Sequence, residues 1–116
     1  MGLRSRVKGA AFEREIANWF RLVLGVDAQR GLSQTRDGGE VPDVEGVPLC
    51  WIETKIGRAT NPIKALEQAI TAQATRGDER MPVAICKNNR GRTTVTLQVE
   101  DFAWLLEGKL REGEGA

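Results

Sequence analysis

Phe12, Ile16, Trp19, Phe20 and Val23 recur at three- and four-residue spacing, which predicts an amphipathic helix from Lys8 to Leu24. Gly25 ends it. A strand is expected over Ala28 to Gln34, followed by a polar loop from Thr35 to Glu40. Val41 to Glu45 and Leu49 to Ile56 then read as the two strands of a hairpin, with Gly46-Val47-Pro48 at the turn. Alternation along the second of these puts Cys50, Ile52 and Thr54 on one face and Trp51, Glu53 and Lys55 on the other. Asn61-Pro62 opens a second helix, Asn61 as N-cap and Pro62 in the first turn, which runs to Arg76 and stops at Gly77. Its expected core face is Ile63, Leu66, Ile70 and Ala74, with Lys64, Gln68 and Thr71 off that stripe. Pro82 to Lys87 and Thr93 to Val99 are two more strands, joined by the turn Asn88-Asn89-Arg90-Gly91. A last helix starts at Glu100-Asp101 and carries Phe102, Leu105 and Leu106. Spacing puts Trp19 and Trp104 in the core. The order of helix, three strands, helix, two strands and helix predicts an α/β fold, a mixed sheet flanked by helices.

Length narrows this to one domain, because 116 residues support a single modest core. Apolar residues at 41% and charged residues at 28% fit a globular chain, and no apolar run approaches the roughly 20 residues that span a bilayer. A cytoplasmic protein without a membrane partner is the expectation. Residues 1–7 read as a flexible basic arm, and the tail from Gly108 as too polar and glycine-rich to pack firmly.

The net charge of +1 makes no strong case for a polyanionic partner, and its distribution is more informative. Residues 1–36 hold Arg4, Arg6, Lys8, Arg14, Arg21, Arg30 and Arg36 against Glu13, Glu15 and Asp27. Arg76, Arg80, Lys87, Arg90 and Arg92 form a second basic group, and the chain from Glu100 onward is acidic. One basic face able to meet nucleic-acid phosphates is one outcome; scattered solvated charge is the other. Arg4, Arg6, Lys8 and Arg36 are the DNA-backbone candidates. Cys50 and Cys86 lie far apart in apolar runs and read as buried free thiols. With no histidine in the chain, Ser-His-Asp and Cys-His catalysis are excluded, and a zinc site is disfavoured. Hydrolysis here has to run on carboxylates, lysine and a hard cation.

Asp43 and the triplet Glu53-Thr54-Lys55 meet that requirement, since they fall on adjacent strands of the expected hairpin. Two carboxylates held close repel unless a cation lies between them. Asp43 and Glu53 are placed to share one Mg²⁺, with the Thr54 backbone carbonyl as a third oxygen ligand. A water made more acidic by the cation is then the nucleophile at a phosphodiester. Lys55, on the face of Glu53, orients that water or steadies the charge growing at phosphorus. The plainer reading is a surface ion pair between Glu53 and Lys55, worth little.

Pro42-Asp43 followed by Glu53-Thr54-Lys55 on the next strand resembles the PD-(D/E)xK nuclease superfamily, over roughly residues 8 to 90. Lys8-Gly9-Ala10-Ala11-Phe12-Glu13 resembles its Holliday-junction resolvase branch, in which a glutamate of the first helix joins the metal site. The resemblance implies a restriction-endonuclease-like αβββαβ core with an extra C-terminal strand and helix. It implies Glu13, Asp43, Glu53 and Lys55 as site residues, with Glu13 assisting the metal. Gln68, rather than Gln73, matches a polar residue of the second helix, and Ser33 a serine near the phosphate. Mg²⁺ is the implied cofactor, with Mn²⁺ able to substitute. Branched DNA is the implied substrate, a homodimer the implied assembly, and a bacterial or phage-infected cell the implied setting. Two other readings stay open: a restriction- or repair-type nuclease on duplex or single-stranded DNA, and a non-catalytic DNA-binding module on a nuclease fold. Trp51, beside the motif, either stacks on a base or is buried in the sheet.

Overall fold

The computed structural model of the chain describes residues 3–31 and 41–115, with side chains over 6–31 and 41–114. Ser33, Arg36, the end of the first expected strand and the loop that follows it lie outside the described residues, as does the side chain of Arg4. Among the described residues the order is α1 (Leu3–Leu24), β1 (Gln29–Arg30), β2 (Val44–Glu45), β3 (Cys50–Gly57), α2 (Pro62–Arg76), β4 (Met81–Asn88), β5 (Thr93–Leu97) and α3 (Val99–Gly115). The strands form one sheet in the order β1-β2-β3-β4-β5. Only the β3–β4 pair is parallel, because α2 carries the chain back across the sheet between them. This is the mixed α/β architecture that the pattern predicts.

The two faces of the sheet follow from strand alternation. Ile52, Val83 and Ile85 pack with Phe12, Ile16 and Ala17 of α1. Their neighbours point the other way, Ala84 and Cys86 against Ala65 and Leu66 of α2, and Trp51 against Ala69 and Ala72. Both cysteines are free; Cys86 is buried and Cys50 half-buried. None of the helices among the described residues is long and apolar enough to cross a membrane.

Several expectations are corrected here. Of the predicted α2 face, Leu66 is buried, but Ile63 and Ala74 are exposed, and Ala65, Ala69 and Ala72 take their place. Small side chains let the helix lie close to the sheet, and the bulk of Trp51 fills the space beneath it. Trp19 and Trp104 are not core residues, at 54% and 55% exposed. With 22 residues, α1 is about 33 Å long and outruns the strands it covers. Trp19 is left to meet Phe20 edge-on, 5.2 Å between ring centres. α3 turns its apolar residues to solvent, Phe102, Leu105 and Leu106 included. The basic arm is also helical from Leu3, since no strong helix breaker stands between Leu3 and Val7. At the other end α3 continues through Gly108 to Gly115; that segment is helical yet unpacked.

Both ends of α2 form as their local chemistry predicts. Asn61 accepts a hydrogen bond from the Lys64 N–H at 3.1 Å, and Gly77 closes the helix in the left-handed conformation at φ 69°.

A close approach at Gly31 sets the position of the strand end bearing Asp43. Gly31 N–H donates to the Asp43 carbonyl at 2.9 Å, and a Cβ on residue 31 would stand 2.0 Å from the Pro42 carbonyl oxygen. Backbone there cannot swing away as a flexible side chain would. Gly31→Ala is therefore expected to cost about 1–3 kcal/mol. It should also displace Asp43, so thermal melts and any Asp43-dependent activity fall together. An unchanged melting temperature would show that the segment yields freely.

Candidate active site

Asp43 stands one residue before β2, and its N–H donates to the Ile52 carbonyl of β3 at 2.8 Å. Beyond it the Thr54 N–H is taken by the Asp43 carboxylate Oδ2 at 2.9 Å, rather than by a β2 carbonyl. The Thr54 hydroxyl also reaches Oδ2, at 3.4 Å. Asp43 is thus oriented by the strand that carries Glu53. Thr54 itself is buried on the α1 side of β3, as alternation predicts.

Glu53 lies on the other face with Trp51. The Trp51 indole N–H donates to Glu53 Oε1 at 3.2 Å. Burial pushes the Glu53 carboxyl up to about 8, helped by the neighbouring charge of Asp43 and a hydrogen bond with it, and opposed by the indole and by Lys55. Two carboxyl groups in hydrogen-bond contact share a proton more readily than they carry two charges. They line one cavity of about 620 Å³ with Gly9, Glu13, Lys55, Lys64, Glu67 and Gln68 among its walls.

The structure thus brings Glu13, Asp43, Glu53, Thr54, Lys55 and Gln68 together around one cavity. Gln73 is elsewhere, its carboxamide bonded to the Asp78 carbonyl beyond the end of α2. Glu13 is engaged differently from Asp43 and Glu53. Arg30 Nε pairs with Glu13 Oε1 at 2.5 Å. Burial raises the Glu13 carboxyl, and the Arg30 hydrogen bond works against that rise. No group of three or more histidine, cysteine or acidic side chains is placed to hold a metal ion among the described residues. Asp43 and Glu53 are the carboxyls in contact with each other, whereas Glu13 is in contact with arginine.

Of the DNA-backbone candidates, Arg6 and Lys8 are exposed on α1, and Lys8 donates to the Asn89 side chain in the β4–β5 turn. Trp51, at 1% exposed, has no free face for a base and is a buried sheet residue. Its role as hydrogen-bond donor to Glu53 is not visible in the sequence, although the i, i+2 spacing on one strand face permits it. Arg30 was equally hidden, because its contact with Glu13 spans separate elements. Lys64, off the expected α2 core face, is a further wall residue of the cavity.

Comparisons with models of protein families, with curated proteins and with solved structures find no match to this chain.

Proposed function

We propose that the chain is a divalent-metal-dependent endodeoxyribonuclease of the PD-(D/E)xK kind, with a restriction-endonuclease-like core and resolvase-like preference for branched DNA. The observation that carries this reading is the contact between the Asp43 and Glu53 carboxyls in an open cavity, beside the Lys55 ammonium. A structural ion pair would separate like charges; here burial and proximity crowd them. Crowded carboxyls without histidine or thiolate are a hard, all-oxygen donor set, which fits Mg²⁺ or Mn²⁺ and not zinc. Asp43, Glu53 and the Thr54 carbonyl would hold the ion, with Glu13 assisting once freed from Arg30. When bound, the ion supplies positive charge for the phosphate and a more acidic water.

The chain's own residues supply the rest. Asp43 is held in one orientation by the Thr54 N–H, so little reorganisation is needed on binding. Lys55 offers an ammonium to the water or to the phosphate oxygens as negative charge grows there. Gln68 lies on the wall formed by α2, suited to hydrogen-bond a water or a phosphate oxygen. The order αβββαβ, with β3 parallel to β4, supports the nuclease core. The homodimer remains part of the proposal, drawn from the small domain and the family resemblance.

Incubating the protein with a labelled four-way junction and with a linear duplex of the same sequence tests this reading. Cleavage is expected with Mg²⁺ or Mn²⁺, none with chelator, and the junction is expected to be cut faster. Equal rates on both would remove the junction preference and leave a restriction- or repair-type nuclease. Absence of metal-dependent cleavage on branched, duplex and single-stranded DNA would leave the non-catalytic module.

A further inference from the structure

A second cavity, of about 380 Å³, adjoins the first and shares Lys55, Ile56, Lys64 and Gln68 with it. Both lysines stand on the shared wall. On the first side they face Glu13, Asp43, Glu53 and Glu67; on the second they are the charged groups of a lining that has no carboxylate. Its far wall is the β3–α2 connection, Gly57, Ala59, Thr60 and Asn61. That connection is fixed, because the Thr60 N–H and hydroxyl both donate to the Asn88 side chain at 2.7 Å, and Asn89 N–H donates to the Gly57 carbonyl at 2.7 Å. The same ties bring Arg58 to the end of the sheet where the Asn88–Gly91 turn carries exposed Arg90.

We propose that this lysine-lined cavity is a binding site for a non-scissile phosphate of a nucleic-acid strand, which passes from the carboxylates past Lys55 to Lys64 and on towards Arg58. The proposal rests on the nuclease reading for its substrate class, and it adds a site beside the reacting centre, with which it shares Lys55 and Gln68. The four carboxyls of the first cavity repel a polyanion; Lys55 and Lys64 on the shared wall offset that repulsion, and the side free of carboxylates sets which way the strand leaves. Lys64 contributes a point charge on a flexible stem, suited to phosphate and indifferent to base identity.

The test measures binding of a fluorescent single-stranded oligonucleotide in chelator across a salt series, alongside cleavage with Mg²⁺. Lys64→Ala is expected to weaken binding about three- to tenfold and to lower the slope of log affinity against log salt by about 0.7, the value for one lost phosphate contact on a single strand. Lys64→Arg should restore the slope, and Lys109→Ala, on α3, should leave it unchanged. A methylphosphonate placed at successive positions beside the cut identifies the phosphate: at one of them wild type loses affinity and Lys64→Ala loses no more. Binding by wild type with an unaltered slope in Lys64→Ala overturns this site and leaves the nuclease reading standing. A lowered slope without cleavage on any substrate keeps the site and overturns the catalytic reading. No binding by wild type overturns the site as well.

Discussion

Asp43→Asn is expected to lower metal-dependent cleavage by about a thousandfold while the fold survives. The loss follows from removing a negative donor to the cation, whose charge stabilisation is worth several kcal/mol, each 1.36 of which is about tenfold in rate. The fold survives because the asparagine side-chain oxygen still accepts the Thr54 N–H that Asp43 accepts now. Glu53→Gln should match it in activity and, in addition, raise metal-free stability at high pH. The Glu53 carboxyl is raised to about 8 when folded and titrates near 4.3 when unfolded. Between those values the folded chain binds the extra proton, so the contribution of Glu53 to metal-free stability is full below about pH 4.3 and is lost as pH rises through about 8. Glutamine removes that loss. In chelator, the denaturation midpoint of Glu53→Gln should exceed wild type at pH 8.5 and approach it at pH 4. Added Mg²⁺ should stabilise wild type more at pH 8.5 than at pH 6, because the ion competes with the proton. A wild-type midpoint flat from pH 5 to 8.5 in chelator would show that the two carboxyls are not crowded, and the metal site would lose its support.

The parts of this site that rest on strand alternation were legible in the sequence, and those that rest on packing between elements were not. Glu53 and Lys55 share a face because a strand has a period of two, and Asp43 meets them because the hairpin is short. Both ends of α2 were legible for a similar reason, since Asn61, Pro62 and Gly77 act within a turn of themselves. Its buried face was not, because alanines carry little apolar signal beside Ile63 and Ile70. Ala65, Ala69 and Ala72 outrank Ile63 once Trp51 occupies the sheet beneath them. Apolar spacing at Trp19 and Trp104 likewise marked an amphipathic face without revealing whether anything lies against it. The Arg30–Glu13 pair joins β1 to α1, and no local pattern records such a meeting. The acids thus follow from local pattern, and the groups that contact them, Arg30 and Trp51, do not.

Trp51 is the residue where fold and site meet, and Trp51→Ala is expected to have the largest effect on stability. The side chain is 1% exposed, packs on Ala69 and Ala72 of α2, and lies under the Arg80 guanidinium at 5.1 Å from the ring centre. The alanines that let α2 approach closely have no bulk with which to refill the space. Truncation should therefore cost about 3–5 kcal/mol, a large fraction of the roughly 5–15 kcal/mol that holds a small domain together. Chemical denaturation of Trp51→Ala measures this directly, and a loss below about 1 kcal/mol would mean that α2 settles onto the sheet without it. Trp51→Phe separates packing from polarity. It keeps most of the buried ring but removes the N–H that Glu53 Oε1 accepts at 3.2 Å. That hydrogen bond lowers the Glu53 carboxyl, so its loss should move the titration further up. The phenylalanine variant is expected to remain folded, and its metal-dependent cleavage should rise to its plateau at higher pH than wild type. Coincident pH profiles for the two would reduce Trp51 to a packing residue with no part in positioning the carboxylate.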